Sequence, residues 1–220
     1  MKNIRSKSFL KGIVFIVAFV IWTILIQVVD VQPVGQNGTD IGLATINTWF
    51  HSLTETNMVL YNVTDWLGLV PIFVCFVFAG LGMSQVIKRK SLFLVDCDIA
   101  FLGVYYVVVI FGYLIFEMIP INYRPILING FLEASYPSST TLLVLSVMPT
   151  LTFQTNRRLR NNIVRNMINI FSIAFSLFMV IGRVISGVHW ITDIIGSLLL
   201  SMGLFSIYKA VALTDDAKGK

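Results

Sequence analysis

Apolar residues are gathered into six long runs, at 9–29, 66–87, 92–119, 138–153, 163–185 and 191–213. Most reach the ~20 residues with which a helix crosses a hydrocarbon layer of ~30 Å. The fourth run is shorter and contains Pro149, so its ends are less defined. The pattern predicts an all-α integral membrane protein with six transmembrane helices, built as a single membrane-embedded domain over 1–220. The first run is longer than the ~7–15 apolar residues of a signal peptide, and no small-residue cleavage site follows it, so it reads as a retained anchor. One long polar interval, 30–65, separates the first two runs. Part of it, 41–53, has the spacing of an amphipathic helix lying on the membrane with Trp49 as an interfacial anchor. His51 in that stretch reads as an interfacial side chain rather than a catalytic one.

Composition agrees with the pattern: 56% of residues are hydrophobic and only 12% charged, against about 25% charged in soluble domains. The two cysteines, Cys75 and Cys97, do not suggest a disulfide framework. A net charge of +5 could indicate nucleic acid, but the positions of the cations say otherwise. Fourteen of the sixteen Lys and Arg fall before the first run, between the second and third, between the fourth and fifth, or after the sixth. Cations on alternating connections mark the cytoplasmic side. Both termini, including a 214–220 tail, are therefore expected in the cytoplasm, and 30–65, 120–137 and 186–190 outside. The sequons at Asn37 and Asn62 fall on that outer side.

Arg124 and Arg183 are the two cations left for the outer face. The plain reading is that each snorkels or pairs with a carboxylate such as Glu117 or Glu133. Their neighbours suggest more. The loop "FEMIPINYRPILINGFLEASYPSSTT" presents Arg124 between prolines and ends at Ser138, Ser139 and Thr140, the start of a helix. Free N–H groups there could bind an anion, or Ser135 or Ser138 could simply cap them. In "GRVISGVHWITDIIG", His189 and Asp193 are four apart and would share one helix face, so that the carboxylate could accept the imidazole proton. Two guanidiniums and a helix start suit a tetrahedral oxyanion, and an aligned histidine suits a nucleophile.

The stretches "YRP", "YPSSTT" and "GRVISGVHWITD", in this order, resemble the three signatures of the type 2 phosphatidic acid phosphatase (PAP2) family. The third, R-x5-H-x3-D, is the most specific. The resemblance implies a six-span fold and hydrolysis of a lipid phosphate or diphosphate, undecaprenyl diphosphate among the latter, at the outer face of the cell membrane. It assigns His189 as the nucleophile that forms a phosphohistidine, Asp193 as its orienting partner, and Arg124 and Arg183 as phosphate ligands. Ser138, Ser139, Thr140 and Glu117 fall at substrate-binding positions. No metal, cofactor or nucleic acid is implied; the partners are the bilayer and a phosphorylated lipid. Alternatives are a lipid phosphotransferase, or a relative that binds or senses a phospholipid with little catalysis.

The chain departs from the family pattern at three places. Glu117 stands where the family has a lysine, Thr140 where it has the histidine that protonates the leaving group, and Gly182 where serine is usual. General acid help is typically worth ~10²–10⁴ in rate. The substitution at Thr140 therefore predicts a preference for lipid diphosphates, whose phosphate leaving group departs without a proton. A desolvated Glu117 acting as an acid is the second route.

Overall fold

The computed structural model describes residues 2–215, and eight α-helices make up most of them. They are α1 (Lys2–Val28), α2 (Ala44–Thr54), α3 (Met58–Leu67), α4 (Leu69–Arg89), α5 (Cys97–Met118), α6 (Ser139–Arg158), α7 (Asn162–Ile185) and α8 (Ile191–Asp215). Five helical stretches are long and apolar enough to cross a membrane: Ile4–Val28, Met58–Arg89, Cys97–Met118, Asn162–Ile185 and Ile191–Leu213. Val14, Val17 and Ile21 of α1, Phe73 and Phe76 of α4, Phe111 of α5 and Ile170 of α7 are exposed on the outer surface. That is the surface expected when the surrounding solvent is lipid.

α6 accounts for the difference from the six runs in the sequence. Its 20 residues span about 30 Å at 1.5 Å per residue, yet it does not reach the apolarity of the other five. It packs against α4, α5, α7 and α8 at the centre of the bundle, where its outward neighbours are helices rather than lipid. Leu142, Val144, Val147 and Met148 join the core with Leu102, Tyr105 and Val109 of α5 and Phe175 and Met179 of α7. Its polar side chains are buried and find partners there. Tyr106 Oη lies 2.7 Å from Thr150 Oγ1, and Gln154 Nε2 donates to Tyr208 Oη at 2.7 Å. Hydroxyl and amide contacts of this kind bind helices together where water is absent.

The polar interval 30–65 is more ordered than its composition suggests. α2 forms within the expected 41–53 stretch, with Trp49 exposed. α3 had no counterpart among the six runs: Asn57 caps it by accepting from Leu60 N at 3.0 Å, and it leads through Gly68 into α4. The third run, in turn, begins as a 3₁₀ turn at Leu92–Leu94, and the helix starts at Cys97. Of the expected tail, 214 and 215 belong to α8, and 216–220 lie outside the described residues.

A polar cluster ties the helix ends opposite the candidate site. Arg158 bridges Asp96 at 3.0 Å and the buried Asp98 at 2.7 Å, and Arg89 meets Asp96 at 2.8 Å. These arginines belong to two of the cation-rich connections read from the sequence.

Candidate active site

At the other end, the loop between α5 and α6, the turn between α7 and α8, the first turn of α6 and the external segment converge. The loop is a small hairpin rather than a proline-fixed bend. Ile128 and Phe131 pair across Asn129 and Gly130, both at positive φ, the backbone that an Asn-Gly pair adopts readily. Tyr123 pairs with Ala134, and Arg124 N donates to Glu133 O at 3.0 Å. The Arg124 guanidinium lies 3.1 Å from Glu133 Oε2 and is directed inward, only 8% exposed.

His189 is 5% exposed and sits in the turn before α8 rather than on the helix. The expected four-residue helical alignment with Asp193 therefore does not hold. Asp193, in the first turn of α8, accepts from Trp190 N at 2.9 Å, as a first-turn acid does in a capping box. This leaves Oδ2 3.6 Å from His189 Nδ1, near enough for charge attraction but beyond hydrogen-bond length. Nδ1 meets the Ser135 carbonyl at 3.2 Å. A carbonyl can only accept, so Nδ1 carries the proton and Nε2 keeps its lone pair. Nε2 faces Arg124 Nη1 at 3.5 Å. Burial, then the charges of Arg124 and Arg183, hold the imidazole pKa well below its usual 6.5. The ring is the free base at neutral pH, as a nucleophile requires.

Arg183 is 1% exposed. Its Nη2 donates to Asp65 Oδ1 at 2.7 Å and to the Thr140 hydroxyl, whereas buried Nε and Nη1 have no partner in the protein. An unsatisfied buried donor costs about 1–3 kcal/mol, so these two atoms are a vacancy for an acceptor. The α6 start offers more donors. Ser138 does not cap it: its Oγ donates to Thr141 Oγ1 at 3.0 Å, and no side chain caps the helix. The first-turn N–H groups are left to an anion.

The sequence reading missed three residues here. Tyr61 and Asp65 lie one turn apart on α3, and the Tyr61 ring lies 4.8 Å from the Arg183 guanidinium and 5.7 Å from that of Arg124. Glu133, rather than Glu117, pairs with Arg124. The third is the Ser135 carbonyl, a backbone atom that composition cannot reveal. α3 reaches the arginines because position 182 is glycine: a Cβ there would stand 2.7 Å from Thr64 Cγ2. The Gly182 departure and the position of α3 are thus one feature. Asn57 N donates to Ser186 O at 3.0 Å. His51 Nε2 contacts Gly187 O at 3.1 Å and its ring lies against Trp190, so His51 supports the site turn.

Two cavities meet at Ser139. One, of about 10 Å³, is lined by Ser139, His189, Glu117, Tyr113 and Ser135 and has room for about one water. The other is an apolar groove of about 680 Å³ between α4, α5 and α6. It starts at Asp65, Ser139 and Thr140 and runs past Leu69, Ile72 and Val109. Ser138 is fully buried in packing, with its carbonyl accepting from Ser197 Oγ at 2.9 Å. Of the substrate-binding positions, Ser139, Thr140 and Glu117 border the cavities.

Comparison with known proteins agrees with this geometry. The PAP2 superfamily model matches residues 12–215. A crystal structure of a transmembrane PAP2-type phosphatidylglycerolphosphate phosphatase from Bacillus subtilis has the same fold, with a TM-score of 0.65 at 18% identity over 96% of this chain and 98% of that one. No curated protein matches the chain in sequence. With the family model covering the chain from α1 into α8, and the arginines, the histidine and the open helix start gathered at one end of the bundle, the protein is a member of the PAP2 superfamily.

Proposed function

We propose that the protein is a lipid phosphatase that acts on membrane lipid phosphates or diphosphates through a phosphohistidine at the outer membrane face. The observation that carries this reading is the pair of unsatisfied buried donors on Arg183, beside an uncapped helix start and within the charge field of a neutral histidine. A phosphoryl group supplies three acceptor oxygens for these donors, and little else of its size does. The substrate's tail lies in the groove between α4, α5 and α6, and its phosphate lies between Arg124 and Arg183 with Tyr61 beside both guanidiniums. His189 Nε2 attacks phosphorus, while the Ser135 carbonyl holds the Nδ1 proton and the Asp193 charge offsets the imidazolium that forms. Asp193 is a positioning and electrostatic residue in this reaction.

The outward site follows from the cation distribution. The ionic cluster of Arg89, Arg158, Asp96 and Asp98 lies at the end of the bundle away from His189. With the central α6 as a sixth crossing, both termini are on the cation-rich side.

The test is release of inorganic phosphate by the purified protein in detergent with chelator present, from a panel of lipid monophosphates and diphosphates. His189→Ala should abolish release with the protein still monodisperse. Release that persists in His189→Ala, or a wild-type protein silent on the whole panel, overturns this reading.

A further inference from the structure

Resting on that reading, we infer that Asp65 is the residue that protonates the leaving oxygen of a lipid monophosphate and afterwards takes a proton from the hydrolytic water.

The argument is one of order along the site. His189 faces Arg124 at 3.5 Å, and Tyr61 lies near both Arg124 and Arg183. Arg183 in turn holds Asp65 and Thr140, which stand at the head of the apolar groove. In-line displacement puts the leaving oxygen on the side of phosphorus opposite the attacking nitrogen. With the tail in the groove, that oxygen comes to rest at Asp65 and Thr140. Thr140 is a hydroxyl engaged by Arg183 and is no acid near neutrality. Asp65 is the carboxyl there, and its side chain is 56% exposed, so it can exchange protons with water.

In the empty site Asp65 is the counter-ion of Arg183. An incoming phosphate supplies better acceptors to the same guanidinium and displaces it. A carboxylate then left beside a phosphate anion at an apolar mouth takes up a proton. The charged and titratable groups around it are Arg183 from α7, Tyr61 from its own helix, and Tyr113, Tyr106 and Cys75 along the groove walls. α6 contributes only hydroxyls and apolar side chains to that lining.

The step balances. The His189 Nε2–P bond forms, the P–O bond to the lipid breaks, and the Asp65 proton passes to the lipid oxygen, releasing an alcohol. Water then attacks phosphorus and gives a proton to the Asp65 carboxylate. The N–P bond breaks, and hydrogen phosphate leaves with Asp65 protonated again.

The experiment compares a lipid monophosphate with a lipid diphosphate of the same chain, since the diphosphate's leaving group departs as a phosphate anion and needs no acid. Asp65→Asn retains an acceptor for Arg183 and should lower monophosphate kcat by ~10² or more, with diphosphate kcat within a few-fold of wild type. The basic limb of the monophosphate pH profile should vanish, and Asp65→Glu should restore part of the rate. Asp65→Ser gives the same comparison should the asparagine variant aggregate. Equal effects on both substrates, or a lower KM for both with kcat unchanged, would show that Asp65 is only a counter-ion, and the inference fails while the phosphatase reading stands. A wild-type protein inert on both substrates overturns the two together.

Discussion

Replacing Arg183 by lysine separates charge from geometry at the phosphate seat. The arginine is 1% exposed, and one terminal nitrogen already serves Asp65 and Thr140. Lysine keeps the positive charge and can keep that ion pair, but it has no counterpart to Nε and Nη1, the two donors without partners. Hydrogen bonds to charged groups are worth about 1.5–3 kcal/mol each. Losing two, with part of the loss recovered by the mobile ammonium, costs about 3–4 kcal/mol of transition-state stabilisation. That is a fall in kcat/KM of ~10²–10³. Stability should respond differently, because the empty site loses two unsatisfied buried donors. The thermal midpoint of the lysine variant in detergent should stay within a few degrees of wild type. The assay is phosphate release at several substrate concentrations, paired with thermal unfolding of the same preparations. A loss in kcat/KM under fivefold would refute the vacancy argument. A large drop in stability matching the drop in activity would show that Nε and Nη1 hold the bundle together rather than the substrate.

Three further outcomes are expected. Because burial and the two arginines hold the His189 pKa well below 6.5, the unfolded chain takes up this proton first. Stability should therefore be retained above about pH 6.5 and decline as pH falls below it, with activity following as the ring itself protonates; thermal midpoints and rates across pH 4.5–8 (approximately, around the reference value) check the sign. Gly187→Ala places a Cβ 1.6 Å from Glu55 O at a residue with φ +64°. It should displace the site turn from the external segment, lower kcat/KM by ~10² as a misplacement of about 1 Å does, and cost stability by unfolding assay; a silent substitution refutes the role given to this contact. In a background lacking Cys75 and Cys97, cysteine at Phe131 should react with an impermeant thiol reagent from outside intact cells, and cysteine at Asn162 should not. The reverse pattern overturns the outward site.

The sequence by itself determined the solvent and the chemistry. Long apolar runs have no stable home in water, so a membrane protein follows from their length, and fourteen cations on alternating connections argue for one orientation. Arg124, Arg183, His189 and Asp193 were legible because each is an ionisable group that a membrane-embedded chain retains at a cost. The polar face of α6 was legible only as a weak run, since a helix buried among helices need not be apolar. The arrangement within the site depended on the fold. The carboxylate on Arg183 comes from 118 residues away, and the acceptor that fixes the His189 tautomer is a carbonyl 54 residues away. No local pattern encodes either contact. Asp193 lost its expected hydrogen bond to His189 because the backbone N–H of Trp190, at a helix start with unsatisfied donors, took Oδ2 first. Tyr61 and Asp65 looked like members of a polar loop, and they became part of the phosphate site only because Gly182 lets α3 approach α7 closely. Identity of side chains is a property of the sequence, but which donors remain unpaired is a property of packing.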